Sequence, residues 1–121
     1  MSYDSNNVFA KILRGEIPCK KIYEDDFALA FHDVSPQAPT HILVIPKGPY
    51  ATYDDFIMSA GDEEVVGFQR ALAKAINQAN VSADGYRLIS NNGVNAHQEV
   101  PHYHVHILGG RDLGGILEPR T

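Results

Sequence analysis

The chain has 121 residues, 44% hydrophobic and 21% charged, with 10 glycines and 7 prolines, a composition that fits one globular domain and excludes a collagen-like, disordered or coiled-coil polypeptide. Its 10 basic and 15 acidic residues leave a formal charge of −5. With no Lys/Arg cluster, neither nucleic acid nor an anionic membrane is an expected partner. The single cysteine, Cys19, excludes an intrachain disulfide framework, and with a polar start at Met1 to Asn7 and no apolar run near the ~20 residues that span a bilayer, a cytoplasmic location is expected.

In chain order, Ser5 or Asn6 is placed to cap a short helix whose Val8, Phe9, Ile12 and Leu13 share a face, with Gly15 just past its end. Pro18 holds Ile17 extended. Lys20 to Glu24 and Phe27 to Asp33 are predicted strands of a hairpin, joined by the acidic turn Glu24-Asp25-Asp26. Two prolines make Ser35 to Pro39 a loop. His41 to Pro46, apolar and rich in β-branched residues, predicts a strand buried on both faces.

From about Ala60 to Ala79 a long helix is predicted, because Val65, Phe68, Leu72, Ala75, Ile76 and Ala79 recur at helical spacing behind acidic Asp62, Glu63 and Glu64. Tyr86 to Ser90 follows as a fourth strand, Asn91 to Ala96 as a loop, and His102 to Leu108 as a fifth strand ended by Gly109-Gly110. The tail from Arg111 is expected to be irregular. This order predicts a single α+β domain over residues 1–121: a five-stranded antiparallel sheet with a short N-terminal helix and one long helix, the helices on one side.

The chemistry concentrates in His102-Tyr103-His104-Val105-His106-Ile107-Leu108. Strand alternation puts His102, His104 and His106 on one face over ~13 Å, at ~3.3 Å per residue, with Tyr103, Val105 and Ile107 on the other. Three functions fit such a row. It can be the solvated side of a strand; it can converge on zinc with His41 completing the set; or it can perform nucleophilic catalysis, an imidazole forming a covalent phosphohistidine. In the third, His104 is the natural nucleophile because His102 and His106 flank it as donors to phosphate and leaving group.

The loop Asn91 to Glu99 then offers backbone N–H groups to an anion, Gln98 adds a neutral side-chain donor, and Asp33 suits vicinal hydroxyls such as those of a ribose. An aspartate before Ser35-Pro36 also fits a plain turn cap. Phe9, Ile12, Phe31 and Leu43 can wall a base pocket or simply fill the core.

The run H-Y-H-V-H-I-L matches the signature of the histidine triad superfamily. The segment A-F-H-D-V-S-P-Q-A-P-T-H-I-L-V-I-P-K (Ala30 to Lys47), with G-E-I-P (Gly15 to Pro18), the Gly85 to Asn91 strand and L-G-G-R (Leu108 to Arg111), closely resembles its histidine triad nucleotide-binding branch. The Gln98-Glu99-Val100 variant resembles bacterial members. The resemblance, from about Phe9 to Arg111, implies a two-fold homodimer with a continuous sheet that hydrolyses purine nucleoside 5′-phosphoramidates without a metal or other cofactor.

Position by position it implies His104 as the transiently nucleotidylated residue, His102 and His106 as its partners, and His41 as the fourth pocket histidine. It further implies Asp33 and Val34 at the ribose, Asn91 and Gln98 at the phosphate, and Phe9, Ile12, Ile17, Phe31 and Leu43 around the base. Two positions depart from the pattern: His97 stands where many relatives have glycine, and Glu99 where eukaryotic members have serine. Glu99 is repulsive toward phosphate unless it points away, so any contribution is expected from its backbone N–H. Pro101 is expected to mark the start of the triad strand. The rival readings are a dinucleoside polyphosphate hydrolase, a nucleotide-binding scaffold with incidental catalysis, and a zinc-binding protein.

Overall fold

The computed structural model describes residues 2–117; the ends of the domain expected over 1–121, and the last residues of its tail, lie outside them. The elements run α1 (Val8–Leu13), β1 (Lys21–Glu24), β2 (Ala28–His32), β3 (Thr40–Pro46), α2 (Tyr53–Ser59), α3 (Asp62–Gln78), β4 (Tyr86–Ile89) and β5 (Val105–Gly109). One five-stranded sheet forms in the order β1-β2-β3-β5-β4, every neighbouring pair antiparallel. The expected fold class and strand count are those observed.

The sheet is covered on both faces, whereas the sequence placed all helices on one side. Alternation sends Ala28, Ala30, Ile42, Val44, Val105 and Ile107 toward α2 and α3, where they meet Phe56, Phe68, Ala71, Leu72, Ala75 and Ile76. It sends Leu29, Phe31, Leu43 and Ile45 the other way, against Phe9, Ile12 and Leu13 of α1. With apolar cover on both sides, β3 is a buried central strand, as its unbroken run of apolar residues requires. The sequence placed the helices by chain order, and the second face shows only when the period-two pattern is read against α1.

Three local corrections follow. The cap of α1 is Asn7, whose Oδ1 accepts from the Ala10 N–H at 2.9 Å, in place of Ser5 or Asn6. The helix α2, capped by Thr52 and acidic in its first turn, was not anticipated. Its seven residues bury only Phe56, too few to register a period. Finally, β5 begins at Val105 and not at His102. Upstream of it the backbone is tied elsewhere: the His102 N–H donates to the Val100 carbonyl and the Tyr103 N–H to the Tyr50 carbonyl. Pro46, the partner that would continue the ladder, has no N–H, and its carbonyl is taken by the His102 ring. Among the described residues no helix is long and apolar enough to cross a membrane.

Candidate active site

Between α1, the ends of β2 and β3, and the loop before β5 lies a cleft of about 1330 Å³. Into it the fold gathers most of the residues singled out from the sequence. Phe9, Ile12, Ile17, Phe31 and Leu43 line its apolar side. Asp33 and the exposed Val34 lie at one rim, and Asn91, His97, Gln98 and Glu99 at another. His41, His104 and His106 also line it; the His102 side chain does not.

His104 is held from two sides. Its Nδ1–H donates to the backbone carbonyl of His102 at 2.7 Å, and the Phe9 ring stands edge-on to it with centroids 4.9 Å apart. A carbonyl only accepts, so the proton must sit on Nδ1 and the lone pair on Nε2. Burial keeps the ring neutral by lowering its pKa, against the opposing effects of the carbonyl bond and of Asp33.

A second chain of nitrogens fixes the neighbouring rings. The Gln37 backbone N–H donates to His41 Nδ1 at 3.0 Å, so neutral His41 carries its proton on Nε2. That nitrogen lies 2.8 Å from His106 Nδ1, which therefore accepts and leaves the His106 Nε2–H as a donor. The sheet register makes this pair possible: Leu43 faces His106 and His41 faces Leu108, so His41 and His106 are diagonal neighbours on one face. Burial, with His104 and His41 close by, pushes His106 down to about 4, and burial likewise lowers His41.

Asp33 fills the turn-cap role considered for it and also faces a pocket histidine. Its Oδ1 caps the turn by accepting from the Ser35 N–H at 2.8 Å, while Oδ2 stands 3.4 Å from His41 Nε2. Among the described residues, Asp33, His41 and His106 bring their ligand atoms within 4.8 Å of one another, a set able to hold a cation. This differs from the zinc arrangement inferred from spacing, which needed the alternate histidines of the triad to share one point.

Two expectations fail. His102 was expected to donate to a substrate, but its ring is fully buried and both nitrogens are engaged. Nε2 donates to the Pro46 carbonyl at 2.9 Å, and Nδ1 accepts from the Tyr3 hydroxyl at 2.8 Å. Its contribution to the site is its backbone carbonyl. Gln98 was expected to supply a free donor, yet its Nε2 donates to the carbonyls of Ala51 and Val100, and its Oε1 accepts from the Gly93 N–H.

The loop also spends the N–H groups of Gly93, His97 and Gln98 on internal bonds, which narrows the expected backbone cradle. His97 turns the chain in the left-handed conformation, φ 58° and ψ 42°, which glycine adopts at less cost. Glu99 is exposed at the rim.

Sequence reading missed Tyr3, 99 positions from its partner, and the Gln37 and Pro46 backbone groups that set the two tautomers. Only the aromatic character of Tyr3 just ahead of the helix signalled anything. Lys20, also on the cleft wall, carried no signal.

A family model described as the HIT domain matches residues 14–113. A HIT-like protein of Azospirillum brasilense is 56% identical over 116 residues, 96% of this chain and 95% of that protein. The purine nucleoside phosphoramidase of Escherichia coli is 48% identical over 111 residues, covering 91% and 92%. The solved structure of a histidine triad protein from Clostridium difficile superposes with a TM-score of 0.81 at 39% identity, over 94% of this chain and 98% of that one.

Proposed function

This chain belongs to the HIT family, and from that premise we propose that it is a nucleotide hydrolase that cleaves purine nucleoside 5′-phosphoramidates through a nucleotidyl-histidine intermediate. The observation that carries the proposal is the 2.7 Å bond from His104 Nδ1 to the His102 carbonyl, because it commits the free lone pair to Nε2 in a ring kept neutral. The phosphoramidase among its relatives supports the substrate class.

In the first step His104 Nε2 bonds to the α-phosphorus and the phosphorus–nitrogen bond breaks. The substrate nitrogen takes up a proton from solvent and leaves as the amine, while the His106 Nε2–H donates to a phosphate oxygen and stabilises the charge that develops there. As His104 gains positive character its Nδ1–H becomes more acidic, so the bond to the carbonyl strengthens as the reaction proceeds and lowers the barrier. In the second step water attacks phosphorus and gives its proton to solvent, and the Nε2–phosphorus bond breaks with its electron pair returning to Nε2, which releases the monophosphate and restores neutral His104.

The apolar wall of Phe9, Ile12, Ile17, Phe31 and Leu43 suits a purine, and Asp33 suits the ribose hydroxyls. The proposal includes a homodimer in the cytoplasm. The open edge of β4, where Tyr86 and Leu88 are each 43% exposed, suits a joining of two sheets.

Incubation with adenosine 5′-monophosphoramidate should yield AMP, and His104→Ala should abolish this turnover. An inert wild type, or an active His104→Ala protein, refutes the proposal. Faster cleavage of a dinucleoside polyphosphate than of the phosphoramidate would favour the sister activity instead.

A further inference from the structure

The attacking ring is only as steady as the carbonyl that holds it, and that carbonyl belongs to a residue whose own side chain is tethered at both nitrogens. The Pro46 oxygen accepts, so the proton of His102 lies on Nε2 and Nδ1 is left as an acceptor in a fully buried ring. Among the described residues its donor is the hydroxyl of Tyr3, at 2.8 Å and with the two rings edge-to-face, centroids 5.6 Å apart.

Tyr3 is itself anchored. It precedes a turn in which the Asn7 N–H and side chain both donate to the Asp4 carbonyl, and Asn7 caps α1. Arg14, just past α1, donates back to the Ser5 carbonyl at 2.8 Å. In the first turn of that helix, Phe9 stands edge-on to both His102 and His104. The N-terminal segment is thus a clamp with a polar tip on the first triad histidine and an apolar body against the second.

We infer that Tyr3 is a positioning residue for the reaction: its hydroxyl fixes the rotation of the His102 ring, whose tautomer the Pro46 carbonyl sets, and through it the carbonyl that orients His104. This role rests on His104 being the nucleophile, as proposed above. Tyr3 touches neither the cleft nor the reacting atoms, so its effect falls on the chemical step and not on nucleotide affinity. Preorganised donors and acceptors matter most where charge develops, and a carbonyl free to drift loses that advantage.

Tyr3→Phe keeps the ring contact and deletes only the hydroxyl. In the full-length protein, with adenosine 5′-monophosphoramidate as substrate, it should lower kcat roughly 3- to 10-fold, the worth of one buried neutral hydrogen bond, with KM within about twofold. Nitrogen-15 spectra of the imidazoles should place the His102 proton on Nε2 in the wild type and report the loss of a donor at Nδ1 in Tyr3→Phe.

Unchanged kcat in Tyr3→Phe, or a raised KM with kcat intact, overturns the inference. So does a wild-type His102 protonated on Nδ1, a measurement that stands even if the variant fails to fold. A wild type without turnover refutes the parent proposal and this role with it, whereas an active wild type matched by Tyr3→Phe refutes this role alone.

Discussion

Acidification should unfold this protein through its histidines before its carboxylates. His102 is fully buried with its ring neutral, and burial pushes it from 6.5 down to about 4. The folded value lies below the unfolded one, so the unfolded chain binds the proton more readily. The stabilisation is present at neutral pH and is lost as the pH falls from about 6.5 to about 4.

For His102 alone this amounts to about 2 kcal/mol by pH ~5 and about 3 kcal/mol by pH ~4, a sizeable share of the ~5–15 kcal/mol typical of a domain. His106, also at about 4, steepens the fall, although its field is shared with His41 and His104 and the two losses do not simply add. Glu24, held to about 2 by Lys21 and Lys47, yields only below pH ~4.5 and leaves the higher window to imidazole.

Urea unfolding followed by far-UV circular dichroism, at steps from pH 7.5 to 4.5, measures the slope, and His102→Gln removes one titrating ring. The midpoint of the wild type should drop steeply below pH 6.5, and that of His102→Gln less steeply. A stability flat from pH 7 to 5, or a full slope retained in His102→Gln, would refute the assignment of a buried neutral ring.

Three further outcomes are expected. His106→Ala should lower kcat roughly 100-fold, the worth of one donor to the developing charge, both on an alkyl phosphoramidate and on a substrate whose leaving group departs without a proton; a loss confined to the alkyl phosphoramidate, read from steady-state rates, would instead make His106 a proton donor to the leaving group. Dialysis against a chelator should leave turnover within about twofold, since the proposed steps use imidazole nitrogens alone; loss restored by zinc would instead assign the Asp33, His41 and His106 group to a working metal. Phe56→Ala should cost about 3–5 kcal/mol in denaturant unfolding, because Phe56 is fully buried among the rings of Tyr50, Phe68 and Tyr103 at 5.1–5.4 Å; a loss under ~1 kcal/mol would mean that this cluster does not carry the core.

The strands and the long helix were legible because their signals are local. The unbroken apolar run over His41 to Pro46 reports a strand buried on both faces, and helical spacing from Val65 to Ile76 reports one buried face, whatever lies across from either. The spacing of His102, His104 and His106, with the blocks around it, likewise marked where the chemistry lies.

What tertiary structure decided is which nitrogen of each ring is free. Spacing treats three histidines alike, yet the chain leaves the ladder before Val105, so the rings part: His102 turns inward to Pro46 and Tyr3, while His104 and His106 meet the cleft. Tautomers are set by backbone groups that residue types do not announce: the Pro46 carbonyl, 56 positions away, for His102, the Gln37 N–H for His41 and the His102 carbonyl for His104. A hydrogen bond depends on the position of two atoms within a few tenths of an ångström, and a linear pattern of residue types carries no such distance.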